Sequence, residues 1–192
     1  MEALAPALPK TRKKRLTYED YAALTPPDSG NYELHGGKIV CVPSSTPAHQ
    51  DLVTELSAHM RMYANRNKPG KVYTAPLDTV FDEINTLQPD ILFISRDRLS
   101  IVGAKKVEGA PDFIIEIQSG GNSPREMSYK KYIYETFMVR EYWVVNLKKE
   151  TITQYVNEEG EFRQAGIFAK DKELVSIVLP DFKTSLAALM EV

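Results

Sequence analysis

Between Gln88 and Lys130 the chain repeats one awkward arrangement, an acidic side chain fixed to a short apolar run. Gln88-Pro89-Asp90 opens Ile91-Leu92-Phe93-Ile94, and Glu116 interrupts a second run, Phe113-Ile114-Ile115, just before Ile117 and Gln118. Runs this short and this rich in isoleucine fit strands covered on both faces. A carboxylate attached to such a strand is costly to bury without a partner. The fold must therefore bring positive charge to Asp90 and Glu116, and a divalent metal ion is the simplest candidate.

The segment after Glu116 offers a second source of charge. Ser123-Pro124-Arg125-Glu126 combines a capping serine, a proline suited to the first helical position and a glutamate three residues on, so a helix starts there. At about 100° per residue, Met127, Ile133, Tyr134, Phe137 and Met138 share one apolar face, and Lys130 falls near its middle. An ammonium in an apolar seam either snorkels to water or reaches an acid. Because the helix directly follows Glu116, the second reading is favoured.

Around this segment the chain alternates helix and strand signals. Thr17 to Asp20 has capping-box spacing and opens a short helix to about Leu24, which Pro26 to Gly30 breaks. Tyr32 to Val42 reads as a hairpin turning at Gly36-Gly37. Thr46 and Pro47 start a helix to about Asn65, with Leu52, Val53, Leu56, Met60 and Tyr63 as its buried stripe. Further strands are expected at Lys71 to Ala75, Thr79 to Asp82, Asp90 to Ile94, Asp112 to Ile117, Glu141 to Asn146, Thr151 to Val156 and Glu161 to Phe168, with a closing helix from Ser185 to Met190. The order predicts a mixed α+β or α/β layer structure, one central mixed sheet flanked by helices. Residues 1–15 read as a basic arm ending in Lys10-Thr-Arg-Lys-Lys-Arg15, and residues 16–192 as one domain.

Composition narrows the class without choosing a function. A net charge of −2 counts against a uniformly basic surface. The single cysteine, Cys41, excludes an intrachain disulfide and a cysteine-based zinc cluster and fits a reducing, cytoplasmic setting. No apolar run approaches the roughly 20 residues needed to cross a bilayer.

Pro89-Asp90, Glu116-Ile117-Gln118 and a following lysine resemble the PD-(D/E)xK nuclease superfamily, with its restriction-endonuclease-like fold, and within it a bacterial restriction-endonuclease family of unknown function. The likeness extends over Tyr32-Glu33-Leu34 with its Gly-Gly turn, Pro47-Ala48-His49, Ala75 to Asp78, Gly109 to Glu116, Lys130 with Tyr134, and Arg140 to Trp143. The superfamily's usual lysine lies two residues after the glutamate, where this chain has Gln118. In this family the next helix typically supplies it, and Lys130 occupies that place. The resemblance implies a metal-dependent endonuclease acting on nucleic acid, DNA in the first instance, and a homodimer.

In that reading Asp90 and Glu116 ligate Mg2+ or Mn2+, and the Ile117 carbonyl is a third ligand. Lys130 orients the attacking water or stabilises charge at phosphorus, Glu33 holds Lys130 or a second metal, and Gln118 hydrogen-bonds water or phosphate. His49 and Asp78 are weaker candidates, and Tyr142-Trp143 reads as core. Tyr129 and Tyr132 lie off the Lys130 face, exposed and suited to a subunit contact. Two rivals remain: a catalytically silent domain of the same fold that only binds nucleic acid or a partner, and a glycoside hydrolase using Asp90 and Glu116 as acid and base. The latter leaves Lys130 without a role.

Overall fold

The computed structural model describes residues 14–25, 31–119 and 123–190. Most of the basic arm, the 26–30 breaker and residues 120–122 lie outside them. Helix α1 (Tyr18–Leu24) starts at the expected capping box: the Thr17 hydroxyl accepts from the Asp20 N–H, and the Asp20 carboxylate accepts from the Thr17 N–H. Strands β1 (Tyr32–His35) and β2 (Lys38–Cys41) form the hairpin. Gly36 and Gly37 turn it with φ of 57° and 77°, backbone that other residues adopt only under strain. Helix α2 (Pro47–Asn67) is capped by Thr46 and ends at Lys68, left-handed at φ 54°. Gly70 begins β3 (Gly70–Thr74), where a Cβ would lie 2.0 Å from the Ile94 carbonyl oxygen.

The chain continues through β4 (Thr79–Asp82), β5 (Asn85–Leu87), β6 (Ile91–Ser95), a 3-10 turn (Arg96–Ile101), β7 (Val107–Glu108), β8 (Phe113–Gln118) and α3 (Pro124–Thr136). It ends with β9 (Glu141–Asn146), β10 (Thr151–Glu158), β11 (Glu161–Ala169), β12 (Leu174–Val175), β13 (Lys183–Thr184) and α4 (Leu186–Met190). The central sheet is mixed, in the order β11-β10-β9-β8-β6-β3. Its parallel pair is β8 and β9, which α3 connects as a crossover. A second sheet, β2-β1-β5-β4-β7, stands against it, and β12 pairs with β13. The strand signals in the sequence predict one sheet; the second is hidden from them because β5 and β7 are too short, at three and two residues, to show a period.

The two faces of the central sheet pack separately. Phe113, Ile115 and Ile117 of β8 join Leu52, Leu56, Met60 and Ala64 of α2 and Trp143 of β9. Ile114 points the other way, with Leu92, Tyr142 and the α3 side chains Ile133 and Tyr134. Tyr142 and Trp143 are fully buried, as expected of core residues. Met138 departs from expectation. It lies beyond the end of α3 with φ 62° and is 53% exposed, so the apolar face of the helix stops at Phe137. No helix among the described residues is long and apolar enough to cross a membrane.

Candidate active site

Strand register brings the two leading acids together. β6 and β8 run antiparallel with Ile91 opposite Ile115, so one step further Asp90 lies opposite Glu116. Directly opposed residues share a face, with Cβ atoms about 4.5–5.5 Å apart. Even-numbered positions of β8 face α3, so Glu116 points into that layer instead of the α2 core. The backbone N–H of Ile117 donates to Asp90 Oδ2 at 2.7 Å and fixes that carboxylate at the strand end.

Lys130 reaches these acids from α3. Its ammonium is 3.2 Å from each Glu116 oxygen and 3.0 Å from Glu33 Oε1, and the three residues are between 0% and 2% exposed. The Tyr134 hydroxyl, one turn along the helix, donates to Glu116 Oε1 at 2.6 Å. Glu33 is held further by the Gln88 N–H at 2.8 Å and by His35 Nε2 at 2.7 Å. The lysine on the apolar face is therefore paired, not snorkelling.

Charge accounting separates this cluster from the other buried acids. Asp112, the acid of the second Pro-Asp pair, has Arg98 at 3.0 Å, Arg140 at 3.6 Å and the Ser95 N–H. Glu141 accepts from Trp143 Nε1, Gln154 Nε2, the Ser176 hydroxyl and the Ile177 and Val178 N–H groups. Glu33, Glu116 and Asp90 share a single ammonium. Burial raises the Glu33 carboxyl, but Lys130, His35 and the Gln88 N–H outweigh it and hold it below the usual range. Glu116 carries the surplus: burial pushes it up to about 8, against the pull of Lys130 and with the repulsion of Asp90 and Glu33. Burial alone would lower the Lys130 ammonium, but Glu116, Glu33 and Asp90 raise it, so it stays charged at neutral pH.

A cleft of about 110 Å³, roomy enough for several waters, exposes this chemistry. Asp90, Glu116 and Lys130 line it together with His49, Gln88 and the Ala75–Pro76 segment, whose peptide bond is cis. His49 Nε2 lies 3.1 Å from Asp90 Oδ2. Of the weaker candidates, His49 thus enters the site. Asp78 does not, and instead binds the Tyr18 and Tyr21 hydroxyls and the Gln88 amide behind it. Gln118 accepts from Asn146 Nδ2 at 2.9 Å and is not part of the cleft lining. The Ile117 side chain packs in the α2 core, and its described contact with the site is the N–H bond to Asp90. Sequence alone assigns no role to the Gln88 N–H, the His35 ring or the Tyr134 hydroxyl, although Tyr134 stands with Lys130 among the residues that carry the resemblance.

Among the described residues no three His, Cys, Asp or Glu side chains converge as a ready-made metal cage. The donor set suits a cation that keeps much of its water. Asp90 and Glu116 present hard carboxylate oxygens from opposed positions, and their cluster has more negative than positive charge. Mg2+ and Mn2+ bind in this manner, through one or two carboxylates plus water.

A family model described as "Putative restriction endonuclease" matches residues 18–188. No curated protein matches the sequence. Among solved structures, the chain is similar to a putative nuclease from Anabaena variabilis, at 18% identity over 91% of this chain and 97% of that one, with a TM-score of 0.76. At that identity the likeness establishes a shared fold.

Proposed function

The chain belongs to this restriction endonuclease family, and from that membership we propose that it is a Mg2+- or Mn2+-dependent endonuclease hydrolysing phosphodiester bonds in DNA. The observation that carries the proposal is the buried Lys130 ammonium held between Glu33 and Glu116, in one cleft with Asp90. A structural ion pair needs one acid; here two buried acids hold one lysine, and a third acid, Asp90, lines the same cleft.

In phosphodiester hydrolysis a water oxygen forms a bond to phosphorus, the bond to the leaving ester oxygen breaks, and that oxygen takes a proton. A divalent ion held by Asp90 and Glu116, with the Ile117 carbonyl as a further ligand, would supply an acidified water and neutralise charge on the phosphate. Lys130, held charged by its acidic neighbours, is no base; it presents fixed positive charge to the phosphate and orients the attacking water. Glu33 aims Lys130, and Tyr134 and the Ile117 N–H fix the two carboxylates. Gln118, turned onto Asn146, contributes backbone geometry.

The test is calorimetric Mn2+ titration beside plasmid nicking. Wild type binds Mn2+ and nicks only with metal present; Asp90→Ala and Glu116→Ala lose both; Lys130→Met keeps binding and loses cleavage. Metal binding without cleavage of any nucleic acid would reject catalysis in favour of a binding domain. Nicking unchanged in Lys130→Met would reject the role of the lysine.

A further inference from the structure

A second groove, separate from the acidic cleft, runs between the turn of the β1–β2 hairpin and the first turns of α3. Its walls include Arg15, Lys38 and Arg125, all exposed. With Lys14, they set four cations against one acid, Glu126, along the described lining, in a chain of net charge −2. Arg15 is fixed there by backbone, since the Leu16 N–H donates to the Gly37 carbonyl at 3.0 Å and a Cβ on Gly37 would lie 2.6 Å from the Arg15 Cβ.

The same groove carries aromatic surface. Tyr132 is 59% exposed, and no described ring stacks on it. Beside it Tyr129 is held by Asn85 and stacked on His35 at 4.6 Å. His35 in turn touches Glu33, so the groove lies one side chain behind the Lys130 cluster. β2 and the two residues after it connect the two openings: Lys38 and Val40 line the groove, Val42 and Pro43 the cleft. From residue 38 to residue 42 an extended strand covers about 13 Å, within the reach of a few extended nucleotides.

We propose that this groove binds single-stranded DNA, with phosphates on Arg15, Lys38 and Arg125 and a base stacked on Tyr132, and leads the strand along β2 to the cleft. The strand's delivery to a cutting site rests on the nuclease reading above; its binding does not. Positive charge fits the phosphates, and an open ring face beside that charge fits an unpaired base, because bases in duplex DNA are already stacked on their neighbours.

Fluorescence anisotropy of a short labelled oligonucleotide, with full-length protein in EDTA, tests binding while no metal is available for cleavage. Failure of the nuclease reading would then leave this result intact, and the reverse. Lys38→Ala/Arg125→Ala is expected to lower the slope of log affinity against log salt by about 1.4, at about 0.7 per phosphate contact on a single strand. Tyr132→Ala is expected to weaken binding at least about fivefold with the salt slope unchanged. All three positions are exposed, so these variants fold. Wild-type binding by Tyr132→Ala, equal or tighter binding of the duplex, or binding confined to RNA would overturn the proposal. So would a dimer in sedimentation that these substitutions dissolve, since the groove would then be a subunit interface.

Discussion

Replacing Lys130 with methionine removes the ammonium from a site where Glu33 is 0% and Glu116 2% exposed. Methionine fills similar volume, so the cost is electrostatic. Glu33 retains the Gln88 N–H and His35, and Glu116 retains Tyr134, but neither keeps an ammonium. Breaking a buried ion pair from one side costs about 3–5 kcal/mol, and a domain has about 5–15 kcal/mol in all. The variant therefore folds with a large part of its stability gone. The pH dependence identifies the cause. In the wild type the lowered Glu33 carboxyl contributes stability that is present above its unfolded value of 4.5 and lost as pH falls through the lower folded value. Glu116 is raised with Lys130 in place and already loses stability as pH rises; without Lys130 the largest influence lowering Glu33 is gone too, so the variant loses more than the wild type as pH rises. The penalty should be small at about pH 5, where the acids can protonate, and full at about pH 8. Urea unfolding of both proteins at the two pH values measures it. An equal penalty at both, or a penalty below about 1 kcal/mol at the higher pH, would refute the buried cluster. Adding Glu33→Gln should restore part of the loss at high pH.

Glu116, raised to about 8, must shed its proton to hold a cation, so Mn2+ affinity should climb as pH rises from about 6 toward 8; a flat calorimetric profile would contradict this. Tyr134→Phe removes the donor to Glu116 Oε1 and should cost about 0.5–1.5 kcal/mol in urea unfolding with the pH midpoint for metal binding shifted upward; an unmoved midpoint would deny that hydrogen bond its role. Glu141→Leu strands five donors, among them the Ile177 and Val178 N–H groups, and should destabilise the protein by about 3 kcal/mol or more while leaving Mn2+ affinity unchanged; loss of metal affinity in a folded variant would tie that acid to the site.

The legible part of the site was the part in conflict with its own surroundings. Asp90 and Glu116 break apolar strands, and Lys130 breaks an apolar helix face, so each shows as an exception to its local pattern. Register then does what spacing cannot: residues 90 and 116 are 26 positions apart in sequence yet opposed across β6 and β8. Residues that obey their pattern stayed silent. Tyr134 sits where an apolar residue belongs and acts through its hydroxyl, and Gln88 acts on Glu33 through its backbone N–H, which no side-chain motif reports. His35 is an ordinary strand residue until the hairpin sets it beside Glu33. The second Pro-Asp pair shows the opposite hazard. Asp112 has the same local look as Asp90, but two arginines reach it from the 3-10 turn and the start of β9, and it is structural.

The most direct measurement is the anomalous scattering of a crystal soaked in Mn2+. The expected result is one peak bridging Asp90 and Glu116 oxygens at about 2.0–2.2 Å, with the Lys130 ammonium still against Glu33. A peak elsewhere on the surface, or Lys130 swung out of the cleft with the two carboxylates too far apart to share an ion, would contradict the assignment of this cluster as a metal-dependent phosphodiesterase site.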